Sequence, residues 1–297
     1  MTGKPETLGF IGLGVMGGGM CANVVRKHGG GEGGEVFAFD MNPEALAEQA
    51  ANGAKPCGSV CEVAERATVI FLSLPGGKQV GAVCDEIAAA AGPGTVVVDL
   101  STTSVADARA AAASLAAKDI LFADAPVART RQAAIDGTLS IMVGANEALF
   151  ARIEPLLRYM GSDVTLCGET GCGQVVKLIN NTLLFENVAA IAEMMVVAER
   201  AGVSPSTLIQ AVGLGSGNSF ALQNHGAKAM APRDFPEKAF PAPYALKDLG
   251  YAIELAGQVG VEPRMANRAA EYYRAAVEQG IGDKYFPAII EVVDAKR

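Results

Sequence analysis

The stretch Thr7-Leu-Gly-Phe-Ile-Gly12-Leu-Gly14-Val-Met-Gly17 decides the fold of this chain. Its short apolar run leads directly into a glycine-rich turn, and residues 20–27 have the composition of a helix. The spacing G-x-G-x-x-G between a strand and a helix is typical of dinucleotide-binding turns. The first glycine makes the tight turn, the second lets the backbone approach a pyrophosphate, and the third lets the helix pack on the strand. The helix N-terminus then offers free N–H groups to the phosphates.

A second apolar run, Glu35-Val-Phe-Ala-Phe-Asp40, ends in an acidic residue about 20 positions after the last glycine of the turn. A carboxylate at this place accepts a hydrogen bond from the ribose 2′-hydroxyl and repels a 2′-phosphate. The residues that follow are Met41-Asn-Pro-Glu44, with no arginine to receive a phosphate. Asp40 therefore predicts that the cofactor is NAD rather than NADP.

Apolar runs alternate with helical segments as far as residue 168, and the pattern then becomes helical only. Such alternation predicts a mostly parallel sheet covered on both faces, with ligands beyond the carboxyl ends of the strands. We therefore predict an α/β protein with a Rossmann-type, doubly wound NAD-binding domain over residues 1–168. An all-helical C-terminal domain over residues 169–297 follows, joined to it by a long interdomain helix.

Composition narrows the class of protein. The 297 residues suffice for two domains, and the formal net charge of −8 argues against nucleic acid or an anionic membrane as the main partner. The N-terminus lacks the basic and apolar blocks of a signal peptide. Six cysteines form no Cys-x-x-Cys pair and two histidines stand apart, so the expectation is a cytoplasmic protein with reduced thiols and no metal site.

The segment Gly171-Cys-Gly-Gln-Val-Val-Lys177-Leu-Ile-Asn180-Asn181 puts a lysine and two amides at helical spacing, so their side chains share a face. They can converge on one small oxygen-bearing ligand, and the two glycines let a backbone or a ligand come close. The alternative is a core helix whose lysine reaches out to water. The helix is apolar almost all round, which predicts a homodimer or homotetramer that buries its outer face.

The segment Tyr244-Ala-Leu-Lys247-Asp248-Leu249 begins another predicted helix and places a lysine near its start. No helix-dipole argument favours a cation there, which points to a functional role. The alternative is a lysine–aspartate pair on the surface.

With these motifs in order, the chain resembles the β-hydroxyacid dehydrogenase family, which includes 3-hydroxyisobutyrate dehydrogenase and tartronate semialdehyde reductase. The resemblance covers nearly the whole chain and includes Asp124-Ala-Pro-Val127 and Asp136-Gly-Thr-Leu139. It implies that Lys177 is catalytic and that Asn180 and Asn181 hold the substrate. It also implies that Lys247 lies near cofactor and substrate and Thr102 near the nicotinamide, and that the NAD site includes Gly12, Leu13, Gly14, Val15, Met16, Gly17, Asp40, Leu74 and Pro75.

One loop departs from the family pattern. Most of the family has Ser-Gly-Gly after Pro-Val, whereas this chain has Ala128-Arg129-Thr130. The change resembles the sulfolactaldehyde reductase branch, where the loop is implied to grip a sulfonate; a guanidinium offers forked donors suited to such an oxyanion. The alternative is that Arg129 is a surface residue of a divergent loop.

Lys177 is the proton carrier that this interpretation requires. Oxidation of an alcohol removes a proton from oxygen while hydride leaves carbon, and a lysine whose pKa is lowered by desolvation suits that task. The favoured activity interconverts 3-sulfolactaldehyde and 2,3-dihydroxypropane-1-sulfonate. The alternatives are 3-hydroxyisobutyrate, 4-hydroxybutyrate or tartronate semialdehyde chemistry, all with a small carboxylate, and a non-catalytic NAD(H)-binding regulator.

Overall fold

The computed structural model of the protein describes residues 6–29, 34–237 and 239–295. Residues 1–5, on which the expectation about a signal peptide rests in part, lie outside these ranges. The chain divides into two compact units, Met1–Lys177 and Leu178–Arg297. The domain boundary predicted from the sequence falls nine residues earlier than this division, and it stays a prediction.

The first unit is built on one mixed sheet. Within the described residues its strands are β1 (Leu8–Ile11), β2 (Val36–Phe39), β3 (Lys55–Pro56), β4 (Val69–Leu72), β5 (Val96–Asp99), β6 (Leu121–Asp124), β7 (Val127–Ala128), β8 (Leu139–Gly144) and β9 (Gly161–Gly168). Their order is β3-β2-β1-β4-β5-β6-β8-β7, and β9 pairs with β8. The first six strands are parallel to one another, while β8 runs antiparallel to β6 and β7. The predicted Rossmann-type, mostly parallel sheet is thus confirmed.

Helices cover both faces of this sheet. They are α1 (Gly17–His28), α2 (Pro43–Ala51), α3 (Val60–Arg66), α4 (Gly77–Ala90), α5 (Val105–Ala116), α6 (Arg131–Asp136) and α7 (Glu147–Leu157). Successive strand residues enter opposite apolar clusters, because side chains alternate between the faces of a strand. Phe10 packs in the cluster that includes α1 and α7, whereas Ile11 packs in the cluster that includes α3, α4 and α5. Strands such as β4 and β5 are therefore apolar on both faces and fully buried.

Helix α8 (Cys172–Arg200) is the long helix that the sequence predicts, and the division between the two units falls inside it. Among the described residues it is the one helix long and apolar enough for a membrane span, with a mean hydropathy of 1.3. Of the residues in that apolar window, 44% are buried inside the protein. A core helix of a soluble protein meets the same criteria of length and composition.

The second unit is helical in the part of the chain that the structure describes, apart from two isolated β-bridges. After α8 come α9 (Pro205–Gly213), a π-helix (Leu222–Met230), α10 (Ala242–Gln258), α11 (Arg264–Glu278), a 3₁₀ turn (Phe286–Ala288) and α12 (Ile289–Ala295). Its core holds an aromatic cluster in which the Phe185 ring packs edge-on against Tyr273 and Phe286, with centroids 5.6 and 5.5 Å away. The predicted helical C-terminal region is confirmed.

Candidate active site

Crowding of the backbone explains two of the three glycines in the turn after β1. Gly12 has φ +94°, and a Cβ atom there would lie 2.2 Å from the Ser73 carbonyl oxygen. A Cβ atom on Gly17 would lie 2.0 Å from the Gly12 carbonyl oxygen. At Gly14, by contrast, a Cβ atom would meet nothing within 4 Å. The backbone packs tightly at Gly12 and Gly17, whereas the space beside Gly14 is open to a pyrophosphate. These residues therefore fit a dinucleotide.

Asp40 lies beside this turn. Its carboxylate accepts hydrogen bonds from the backbone N–H of Leu13, at 2.5 Å, and of Asn42, at 2.7 Å. The carboxylate follows strand β2, which is hydrogen-bonded to β1. This position suits a ribose hydroxyl next to the glycine-rich turn. Val15 is exposed and Met16 half-buried on the same turn.

The loops after β4 and β5 are joined to each other. The backbone N–H of Leu74 donates to the Ser101 hydroxyl at 2.9 Å, so Leu74 and Thr102, two of the predicted cofactor residues, belong to neighbouring loops. Pro75 is exposed and Thr102 half-buried. These loops extend the site along the carboxyl edge of the sheet.

The start of α8 is held by two buried side chains that sequence reasoning did not include in the site. The Asp124 carboxylate accepts from the N–H groups of Gly171, at 2.6 Å, and Gln174, at 2.8 Å. The Gln174 side chain donates to the Ser101 carbonyl at 2.8 Å and accepts from the Thr103 N–H at 3.1 Å. Burial raises the pKa of Asp124 above its ordinary value, and the hydrogen bonds from these backbone N–H groups oppose part of that rise. The available signal was Asp124 itself, an acid at the end of an apolar run.

The glycines at this helix start let protein atoms come close. Gly171 has φ +95°. A Cβ atom on Gly173 would lie 2.4 Å from the Met142 carbonyl oxygen and 2.9 Å from Asp124. The sequence left open whether a backbone or a ligand comes close here. At Gly173 the structure shows a close approach of the backbone.

Lys177 lies one helical turn after Gln174, and its side chain is only 8% exposed. Asn181 is four residues further on, so the two side chains share a face of α8. The Asn180 amide donates to the Asn181 side-chain oxygen at 3.1 Å. The predicted lysine and asparagines thus lie on one helix, α8, as the sequence predicts.

In the second unit the asparagines connect to the Lys247-Asp248 pair. The Asn181 amide donates to the Asp248 carboxylate at 2.7 Å, and the Lys247 ammonium lies 3.1 Å from the other carboxylate oxygen. The ammonium also lies 5.2 Å from the centre of the Tyr251 ring. Asp248 is buried, so the interpretation of a surface pair is wrong for this residue. Asp248 holds Asn181, which sequence reasoning missed although the residue stood in a quoted motif.

Arg129 is engaged elsewhere. It has φ +87°, and its guanidinium donates to the Thr138 carbonyl, to the Ser162 hydroxyl at 2.9 Å and to the Asp163 carboxylate at 2.7 Å. The side chain is 45% exposed. Arg129 and Ser162 hold the pKa of Asp163 below its ordinary value, with Ser162 the larger cause. None of these contacts brings Arg129 to Lys177, which favours the alternative of a surface residue.

The two neighbours of Arg129 also have structural partners. Ala128 is buried in β7, and the Thr130 hydroxyl accepts from the Ala133 N–H at 3.4 Å and caps α6. In the described ranges no three His, Cys, Asp or Glu side chains are grouped as a metal site requires. A substrate-binding role for residues 128–130 stays a prediction.

Comparisons with known proteins agree with this geometry. Residues 7–168 match the family model described as the NAD binding domain of 6-phosphogluconate dehydrogenase. Residues 171–293 match the model described as NAD-binding of NADP-dependent 3-hydroxyisobutyrate dehydrogenase. The protein is therefore an oxidoreductase with an NAD-binding domain.

Relatives define the family. The chain is 36% identical over 292 residues to 2-(hydroxymethyl)glutarate dehydrogenase of Eubacterium barkeri, covering 97% of this chain and 95% of that one. It is 30% identical over 290 residues to 2-hydroxy-3-oxopropionate reductase of Escherichia coli, covering 97% of each. The solved structure of Mycobacterium tuberculosis 3-hydroxyisobutyrate dehydrogenase with L-serine matches with a TM-score of 0.89 and 34% identity, over 98% of this chain and all of that one. The chain belongs to the β-hydroxyacid dehydrogenase family, as its sequence motifs predict, and is an NAD-dependent hydroxyacid dehydrogenase.

Proposed function

We propose that Lys177 is the proton carrier of this dehydrogenase. The observation that carries the proposal is a buried lysine one turn beyond a helix start that is fixed to the sheet by buried hydrogen bonds. When bound, NAD accepts the hydride that leaves the alcohol carbon. Lys177 takes the hydroxyl proton, and its positive charge stabilises the alkoxide that forms. Asn180, Asn181 and Lys247 hold the substrate.

Asp40 selects NAD over NADP in this proposal. Its carboxylate is fixed by two backbone N–H groups beside the glycine-rich turn, so it cannot move away from a 2′-phosphate without losing them. The Asp40 carboxylate and a 2′-phosphate are both negative and would repel each other. The same carboxylate can accept from a ribose hydroxyl.

The proposed substrate is a short hydroxyacid or its semialdehyde, with 3-sulfolactaldehyde and 2,3-dihydroxypropane-1-sulfonate as the first pair. The support is Arg129-Thr130 in place of the neutral loop, since a guanidinium binds an oxyanion with two parallel hydrogen bonds. The second candidate is a carboxylate such as 3-hydroxyisobutyrate, 4-hydroxybutyrate or tartronate semialdehyde. The Arg129–Asp163 contact favours this second candidate, because it keeps the guanidinium at the surface. The named relatives also act on carboxylates by their names.

The test is the initial rate of NADH formation with 2,3-dihydroxypropane-1-sulfonate, 3-hydroxyisobutyrate, 4-hydroxybutyrate, glycerate and 2-(hydroxymethyl)glutarate at equal concentrations of NAD. The quantity compared is kcat/KM. A clear preference for the sulfonate supports the first pair. A preference for any carboxylate rejects it while leaving the Lys177 chemistry in place, and turnover of any of them excludes a non-catalytic regulator.

We further propose that residues 169–297 contribute substrate contacts and the surface between subunits of a homodimer or homotetramer. Four large apolar side chains of α8 are more than half exposed at helical spacing: Ile179, Leu183, Met194 and Val197. A two-fold axis crossing the helix between Glu186 and Asn187 would set Ile179 against the partner's Met194 and Leu183 against the partner's Ala190. A stripe that complements itself in this way suits a second copy of the same chain.

Light scattering on the eluting protein tests the oligomer. Leu183→Glu places a charge near the proposed axis and is expected to lower the molar mass to that of a smaller species. Leu214→Glu, at an exposed leucine outside α8, is the matched control and is expected to leave the mass unchanged. A monomeric wild-type protein rejects the proposal.

All six cysteines are free thiols, which supports a cytoplasmic location as the last part of the proposal.

A further inference from the structure

The side chain of Gln174 bridges the two peptide groups on either side of Thr102. Its amide nitrogen donates to the Ser101 carbonyl at 2.8 Å, and its amide oxygen accepts from the Thr103 N–H at 3.1 Å. Gln174 is fully buried, as are Ser101 and Thr103. Both polar ends of the amide are therefore paired with backbone groups, and the loop after β5 is fixed to the first turn of α8.

The helix start is fixed to the sheet in an unusual way. Helices α2, α3, α5 and α7 are each capped by the residue that precedes them, for example Asn146 before α7. Helix α8 is preceded by glycine, and its orphan N–H groups are accepted by Asp124, the last residue of β6. A local cap ties a helix to its own loop. The remote cap ties α8 to the carboxyl edge of the sheet.

We infer that Gln174 is a positioning residue that sets the distance between the proton carrier Lys177 and the loop at Thr102. The inference rests on the proposed role of Lys177 as proton carrier and on the predicted place of Thr102 near the nicotinamide. Lys177 lies three residues after Gln174 on the same helix, so both amide hydrogen bonds of Gln174 act one turn from the lysine. Hydride and proton leave the same substrate, so the two sites must keep a fixed separation.

Truncation of Gln174 removes both bonds at once and leaves the Ser101 carbonyl and the Thr103 N–H buried without this partner. The first turn of α8 then moves relative to the loop. A shift of about 1 Å in reacting groups costs roughly 10²-fold in rate. NAD affinity is expected to change little, because the glycine-rich turn and Asp40 are untouched.

A double-variant cycle tests this inference. We would measure kcat, the KM for the best substrate and the Kd for NAD(H) in the wild type, Gln174→Ala, Lys177→Ala and the double variant. The expected result is a loss of kcat of roughly 10²-fold for Gln174→Ala in the wild-type background and less than about threefold in the Lys177→Ala background. Asn146→Ala, which deletes the cap of α7 alone, controls for a general loss of stability and is expected to lower the Tm without lowering kcat.

Each outcome decides one question. Equal losses from Gln174→Ala in both backgrounds overturn the positioning role and leave the proposed function standing. An unchanged kcat in Gln174→Ala overturns it as well. Full turnover by Lys177→Ala instead overturns the proposed function, and the inference with it. Should Gln174→Ala fail to fold, Gln174→Glu runs the same cycle, since it keeps the acceptor for Thr103 and removes the donor to Ser101.

Discussion

The start of α8 and the turn at residues 128–130 are two places where the sequence predicts polar contacts to a substrate, and they are held in opposite ways. Gln174 and Asp124 are fully buried and bonded to backbone groups. Arg129 is bound to Asp163 on the surface, where both side chains are about half exposed. Breaking buried hydrogen bonds is costly, whereas an exposed ion pair contributes roughly 0–1 kcal/mol. The buried hydrogen bonds at the start of α8 suit catalytic groups that must keep their positions. The exposed Arg129–Asp163 pair suits a contact that can be exchanged for another at little cost.

The largest predicted effect is on Lys177 and tests the buried side of the comparison. Lys177→Ala is expected to lower kcat by about 10³-fold, because the hydroxyl proton loses its acceptor. The Kd for NAD, measured by titration calorimetry, is expected to stay within about twofold of wild type. An equal loss of NAD affinity would show that the lysine serves the cofactor rather than the proton transfer.

Local patterns predicted the fold because their causes are local. A Cβ atom on Gly17 would meet Gly12 within the same turn, whereas one on Gly12 would meet Ser73 in the loop after β4, and continuous apolar runs such as β4 reflect strands buried on both faces. The all-helical prediction for residues 169–297 does not give the bounds of the short helix α12, since its seven residues leave little periodicity to detect. The prediction of an all-helical C-terminal domain also gives no indication that Leu222–Met230 is a π-helix.

Within α8, the sequence predicts which side chains share a face but not what fixes the helix in place. The spacing puts Lys177, Asn180 and Asn181 on one face, and the family resemblance implies their roles, but the partners that fix the helix come from far away in sequence: Asp124 is 47 residues before Gly171. Arg129 meets Asp163, 34 residues later, for the same reason. No spacing rule reaches such contacts, because they depend on how β6, β8 and β9 lie side by side.

His225 extends the comparison to a buried polar group that is only half paired. Its Nδ1 lies 2.9 Å from the Tyr285 hydroxyl, while its buried Nε2 has no hydrogen-bond partner within the described ranges. Burial, and to a lesser extent the charge of Lys228, lowers the pKa of His225 to about 4, from an ordinary value of 6.5. The unfolded chain therefore takes up a proton at higher pH than the folded protein does. Stability is complete above the unfolded value and is lost as the pH falls towards 4.

The expected loss from this histidine is about 2 kcal/mol of unfolding free energy between about pH 7 and about pH 5. Denaturant unfolding at the two pH values measures it. His225→Gln keeps an acceptor for Tyr285 and cannot take up the proton, so the difference in pH dependence between variant and wild type isolates this group from the carboxylates. Identical pH dependence in both proteins would contradict the assignment.

Arg129 and Asp163 test the exposed side of the comparison. If Arg129 binds the acid group of the substrate, Arg129→Ala is expected to raise KM roughly tenfold with a modest loss of kcat, the size of one charged hydrogen bond. Asp163→Asn removes the competing charge and is expected to lower KM. Arg66→Ala, which removes another exposed salt bridge, is the control and should leave KM unchanged. A KM that is unchanged in all three variants would show that Arg129 is a surface residue that does not bind the substrate.

The smallest predicted effect concerns Thr130, where the comparison reduces to one hydroxyl group. In the structure this hydroxyl caps α6 over a long contact of 3.4 Å to the Ala133 N–H, so Thr130→Ala is expected to cost at most about 1 kcal/mol. Thr130→Ser keeps the oxygen and should restore the loss, as measured by denaturant unfolding. A Thr130→Ala protein with wild-type stability and a raised KM would mean that the hydroxyl serves the substrate instead. The exposed turn would then bind the anion through Thr130 even while Arg129 stays with Asp163.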